Sequence, residues 1–127
     1  QIGIRGPLAG LDDLDFVKKH KIKYYTVDDI RKNSLQDFLS KLPEFKDTPT
    51  YISFDIDCLD PAYAPGTGTP VVGGLTTYET QRILRALKIK NLVGGDLVEI
   101  SPTYDHSDIT ALAGVDAIFE MLHLMAR

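Results

Sequence analysis

Thr50-Tyr51-Ile52-Ser53-Phe54-Asp55-Ile56-Asp57-Cys58-Leu59-Asp60-Pro61 reads as a buried β-strand that ends on carboxylates. The spacing predicts a strand over 50–57. Along a strand, side chains at i and i+2 share a face, ~6.6 Å apart at ~3.3 Å per residue. Asp55 and Asp57 would then lie on one face with Tyr51 and Ser53, while Ile52, Phe54 and Ile56 line the other. Two anions that close repel unless they share a cation or a proton. A hard divalent metal relieves the repulsion well, because oxygen ligands suit magnesium, calcium and manganese. Read instead as turn residues, the same aspartates would mark a strand-to-loop transition, with Asp60-Pro61 opening the turn.

Known metal loops fit poorly. A calcium EF-hand loop needs Gly at its sixth position and Glu at its twelfth; counting from Asp55, this chain has Asp60 and Gly66 there. Phosphatases that form an aspartyl phosphate also end a strand on paired aspartates, but they do not continue Cys-Leu-Asp-Pro. Here the chain runs on through Ala62-Tyr63-Ala64-Pro65-Gly66-Thr67-Gly68-Thr69-Pro70 to Gly73-Gly74-Leu75-Thr76. Gly66-Thr67-Gly68 lacks the third glycine and the immediate helix of a dinucleotide fingerprint. Taken together, these segments resemble a metal-ligand motif of the ureohydrolases, the family of arginase and agmatinase, with wording nearest the agmatinase branch. The resemblance extends to Asp96-Leu97-Val98-Glu99-Ile100-Ser101-Pro102 and Tyr104-Asp105, and more loosely to Gln1 through Arg5.

The resemblance implies a three-layer α/β/α fold with a parallel sheet. It also implies a binuclear manganese (Mn2+) site that hydrolyses a linear guanidino compound to urea and an amine, agmatine foremost, with a guanidino acid or arginine as alternatives. By position, Asp55 would bridge the ions, Asp57 would bind one, and Glu99 would receive the guanidinium. The family's other ligands come from a Gly-Gly-Asp-His segment and an Asp-Ala-His-x-Asp segment, neither of which is present; the three histidines, His20, His106 and His123, lie in no such motif. The expectation is that residues 1–127 form one domain, the C-terminal portion of a ureohydrolase, inactive alone. A truncated or purely structural chain is the rival reading.

Composition narrows the classes further. Hydrophobic content of 43% and charged content of 25% are ordinary for a globular protein. A net charge of −4, with no basic cluster, argues against nucleic-acid partners. The lone Cys58 excludes an internal disulfide and reads as a buried, reduced thiol. No apolar run reaches membrane length, and cytoplasm is the expected compartment. A small guanidino substrate and further copies of the chain are the expected partners.

Outward from the central stretch, the pattern predicts strands over 2–5, 22–27 and 92–100 and helices over 11–20 and 35–42. Pro43 should end the second of these helices. Thr76 and Glu79 form a capping box that opens a helix to about Leu87, burying Ile83, Leu84 and Leu87. Gly94-Gly95 should mark close backbone approach. Ser107 or Asp105 should cap a last helix to about Ala126, whose polar residues reduce to a stripe of Asp116, Glu120, His123 and Arg127. A helix that is apolar around most of its girth should be buried on several sides. His123 reads as a stripe residue. His106 reads as a turn residue near the site or a substrate contact. Alternating strands and helices predict parallel βαβ units, with ligands beyond the carboxyl ends of the strands.

Overall fold

The structure is a computed structural model and describes residues 1–7, 10 and 12–127. Its elements run β1 (Ile2–Ile4), α1 (Asp12–Lys19), β2 (Tyr25–Thr26), α2 (Val27–Arg31), α3 (Leu35–Ser40), β3 (Glu44–Phe45), β4 (Thr50–Asp55), α4 (Thr77–Ala86), β5 (Lys88–Ile89), β6 (Leu92–Val98) and α5 (Ile109–Met125). All strand pairing is parallel, as the alternation of strand and helix predicts. Among the described residues it forms three two-stranded sheets, β1–β2, β3–β5 and β4–β6, and not one continuous sheet.

The β4–β6 pair places the site. Its register sets Ser53 beside Asp96 and Asp55 beside Val98, so both strands end at the same rim. Ile52 and Phe54 point into a core with Ile56, Leu59, Leu84, Leu97, Ala117 and Met121. Tyr51 and Ser53 on the opposite face are exposed. The glycine pair in β6 fits the expected close approach: a Cβ on Gly95 would stand 3.0 Å from the Ile52 carbonyl oxygen. A second core gathers Val27, Ile30, Phe38, Leu39, Leu42, Leu75 and Ile83 under α2, α3 and α4. Neighbouring residues of α4, Ile83 and Leu84, enter different cores, so α4 joins the two.

Several boundaries differ from the sequence pattern. The strand expected over 50–57 stops at Asp55, and Ile56–Cys58 is a single 3₁₀ turn. The cause is local: the Asp55 carboxylate accepts the Asp57 N–H at 3.1 Å, offering the backbone a turn in place of ladder bonds. The strand expected over 22–27 shrinks to Tyr25–Thr26, because Thr26 and Asp29 form a capping box that commits Val27 to a helix. The helix expected over 11–20 spans Asp12–Lys19; Leu11, used in that pattern, lies outside the described residues. The Thr76–Glu79 capping box is present as expected, with Ile83 and Leu84 buried and Leu87 half-buried.

Helix α5 departs from expectation on its surface. Its polar stripe faces α4: Asp116 accepts from the Gln81 amide at 2.8 and 3.0 Å, and Glu120 accepts from Arg85 Nε at 2.9 Å. Burial covers Gly114, Ala117, Met121 and Leu124, whereas Leu112, Val115, Phe119, Leu122 and Met125 are exposed. The helix is therefore not buried on several sides among the described residues.

Candidate functional site

Asp55 closes β4, and Asp57 sits two residues on in the 3₁₀ turn, so the two aspartates do not share a regular strand face. They meet through the turn instead. Ile56 between them is fully buried, which pins the turn into the core while leaving both flanking carboxylates half-buried at the rim. Each carboxylate has one oxygen held: Asp55 Oδ1 by the Asp57 N–H, and Asp57 Oδ2 by the Thr69 hydroxyl at 3.1 Å. Their other oxygens accept no hydrogen bond from the described residues.

Glu99 follows β6 directly and is exposed. Its φ of +66° is in the left-handed region, a conformation that costs a non-glycine residue about 1–3 kcal/mol. Val98 neighbours Asp55 across the sheet, so Glu99 comes off the next strand at the same rim. The electrostatics agree with this placement. Burial pushes the Asp55 carboxyl above its ordinary range, and the negative charges of Asp57 and Glu99 push it further.

Three acids thus lie along the rim where a parallel pair ends, and no side-chain cation among the described residues hydrogen-bonds to their carboxylates. Hard oxygen donors of this kind suit manganese. Among the described residues, no three His, Cys, Asp or Glu side chains are placed to share one metal ion. The donor set accordingly fits part of a hard-metal site, two carboxylates, with any further ligands supplied from outside these residues. Cys58 is not a donor of that kind: burial, then the Asp55 and Asp57 charges, push its thiol up to about 12.

The loop after the turn is held by side chains. The Asp60 carboxylate accepts the Ala62 N–H at 2.9 Å, Gly73 at 2.7 Å and Gly74 at 3.0 Å. The Ala62 amide, then those of Gly73 and Gly74, hold the Asp60 carboxyl below its usual range although burial opposes them. Gly74 passes so close to Leu59-Asp60 that a Cβ would stand 2.4 Å from the Asp60 nitrogen. Gly66 N–H donates to the buried Thr110 hydroxyl at 2.8 Å, tying the loop to α5. Asp105 accepts from the amides of His106, Thr110 and Ala111, so it, and not Ser107, satisfies the start of α5. Burial opposes ionisation of Asp105, yet those bonds and the Thr110 side chain hold its carboxyl down to about 2.

Among the histidines, His106 is exposed beside Asp105, and His123 Nδ1 lies 2.8 Å from the Phe119 carbonyl on its own helix. Two further groups lie in segments quoted above without a role being readable for them. Asp96 accepts from the Tyr51 hydroxyl at 3.2 Å on the open sheet face, while its other oxygen is buried without a partner among the described residues. Arg5 donates to the Asp57 carbonyl at 2.6 Å.

Comparison with known proteins bears on what this arrangement belongs to. The sequence profile described as the arginase family matches residues 1–123. An agmatinase of Photorhabdus laumondii is 54% identical over 100 residues, 78% of this chain and 33% of the relative. An agmatinase of Klebsiella pneumoniae is 43% identical over 127 residues, 99% of this chain and 39% of the relative. The solved arginase of Bacillus caldovelox superposes with a TM-score of 0.79 at 26% identity, over 94% of this chain and 41% of that one. The chain thus spans well under half the length of the relatives it matches.

Proposed function

The chain belongs to the arginase family, and from that premise we propose that a protein carrying it together with the remaining ligands is a manganese-dependent ureohydrolase. Its substrate is a linear guanidino compound, agmatine, released as putrescine and urea. The observation that carries this reading is the placement of Asp55, Asp57 and Glu99 at one rim of the β4–β6 pair, with the Asp55 carboxyl raised by burial and then by its acidic neighbours. Identity of 54% and 43% to agmatinases, against 26% to the arginase, supports agmatine over arginine.

In this reading, Asp55 and Asp57 hold the manganese pair, which when bound supplies Lewis acidity toward water near neutral pH. Thr69 keeps the Asp57 carboxylate turned to its task. Glu99 accepts the planar donor fork of the guanidinium in charge-assisted hydrogen bonds, fixing the carbon that water attacks. Its strained backbone supports a role in aim over one in surface charge. Cytoplasmic location and homo-oligomeric assembly complete the proposal. The single free Cys58 and the exposed apolar residues of α5 support them. No helix among the described residues is long and apolar enough to cross a membrane.

The test is a pair of variants in the complete protein. Asp57→Ala should lose manganese and nearly all urea release from agmatine. Glu99→Gln should keep its manganese while catalytic efficiency falls by about ten- to a hundredfold or more, since a charge-assisted hydrogen bond contributes ~1.5–3 kcal/mol. Normal manganese content and turnover in Asp57→Ala would sink the reading. The 127-residue chain alone should release no urea with added manganese, because two carboxylates leave a metal pair short of ligands.

A further inference from the structure

Asp57 is held at every polar group by a different part of the chain. Its N–H goes to Asp55, its carboxylate to Thr69 and its carbonyl to Arg5. The third of these reaches furthest. Arg5 follows β1, and its guanidinium donates to the carbonyls of Asp57 at 2.6 Å, Leu59 at 3.1 Å and Val71 at 2.7 and 3.1 Å. One planar group thereby binds the middle of the 3₁₀ turn, the residue that follows it and the far side of the 60–74 loop. Guanidinium is suited to this because it offers five donors in a fixed fork and no acceptor. All its strong partners here are main-chain oxygens, so its charge is left unneutralised by any ion pair among the described residues.

We propose that Arg5 is a positioning residue for the metal end of the site: it fixes the backbone of the Asp57 turn and so the direction of the Asp57 carboxylate. The proposal rests on the reading of Asp57 as a manganese ligand. Partners that orient metal ligands contribute about ten- to a hundredfold in metal affinity when removed. Lysine is a point charge on a flexible stem and cannot reproduce a fork across three carbonyls. Arg5→Lys should therefore loosen the turn without removing the charge.

The experiment uses the complete protein and titrates Mn2+ into metal-free samples, following free Mn2+ by its paramagnetic resonance. Melting temperatures of the metal-free proteins are recorded beside it. Arg5→Lys should bind manganese about tenfold to a hundredfold more weakly, lower kcat, and leave KM for agmatine within about twofold. The control is Arg31→Lys, since Arg31 also grips a loop carbonyl, that of Gly74 at 2.8 Å, but none in the Asp57 turn. It should lose melting temperature with manganese affinity unchanged. Wild-type affinity in Arg5→Lys overturns the proposal, as does an equal affinity loss in Arg31→Lys. Failure of Arg5→Lys to fold while Arg31→Lys folds makes Arg5 a general structural residue and overturns it too. Asp57→Ala in the same titration separates the two claims. If it retains manganese, the metal reading itself has failed; if it loses manganese while Arg5→Lys does not, only the role of Arg5 has.

Discussion

Between Ile56 and Thr76 the chain makes one 3₁₀ turn and no longer helix or strand, whereas α5 is a regular helix of 17 residues. Regularity would suggest that α5 is the finished part and the loop the loose one. The contacts say otherwise. The loop buries Ile56, Leu59, Ala64, Thr67 and Leu75, and its backbone is gripped by Arg5, Asp60 and Thr110. Helix α5 satisfies its own backbone, so only side chains determine what it packs against. One side meets α4 and β6; Leu112, Val115, Phe119 and Leu122 stay largely exposed among the described residues. A hollow of about 460 Å³ lies on that side, lined by Tyr63, Gln81, Leu112, Asp116 and Phe119, away from Asp55 and Asp57. Irregular backbone held by side chains thus carries the proposed metal ligands, and regular backbone with open apolar faces carries none of them.

That contrast breaks most directly at Ile56. It is the fully buried anchor of a loop, and truncating it leaves a cavity directly beneath the acid pair. Ile56→Ala in the complete protein should cost about 2–5 kcal/mol in denaturant unfolding, the range for buried aliphatic truncations. A cost near zero would mean that the turn is free to repack and that the loop is the loose part after all.

Asp105 joins the two regions, since its carboxylate holds the first amides of α5 beside the loop. Its carboxyl in the folded protein is held down to about 2, below the ordinary aspartate value of ~3.9. The stability it contributes is complete above the ordinary range, declines as pH falls below ~4, and is gone once pH has fallen through about 2. Asp105→Asn should be less stable than the native protein at pH 7, and the gap should close on acidification. A gap that stays constant from pH 7 to pH 2 would remove Asp105 as the cap of α5.

How much of this was legible in the sequence depended on where the determining partner lies. Thr76 and Glu79 were readable because both halves of a capping box fall within four residues. The matching box at Thr26 escaped because Asp29 replaces the usual Glu or Gln, and β-branched neighbours resemble a strand. Parallel pairing followed from the alternation of elements, but the two-residue strands β3 and β5 are too short to carry a period. Asp55, Asp57 and Glu99 were proposed as site residues from their chemistry and their resemblance to a family. That Asp57 sits on a turn was not, because the bond that ends the strand is a side chain capturing an amide two residues on. Arg5 fell only at the loose edge of the resemblance, and nothing marked its role. Its strong acceptors are carbonyls 52 to 66 residues away, and every residue type has a carbonyl.

The smallest expected effect lies on α5, where the polar stripe was legible but its direction was not. Gln81 and Arg85 take Asp116 and Glu120 and turn the apolar sides outward. Leu112 is 70% exposed and Phe119 58% exposed. Side chains that bury so little contribute little, and surface substitutions of this kind stay within about 0.5 kcal/mol. Leu112→Gln and Phe119→Gln should therefore leave unfolding free energy nearly unchanged wherever this face meets water, a shift at least fourfold below the minimum expected for Ile56→Ala, by the ratio of about 2 to about 0.5 kcal/mol. Sedimentation of the same variants adds the sharper reading. An unchanged unfolding free energy with an unchanged sedimentation coefficient keeps the face solvent-exposed. A cost of about 2 kcal/mol or more at both positions, the range of buried truncations, would show that the outer side of α5 is as covered in the complete protein as the loop is here, and the contrast between the two regions would be lost.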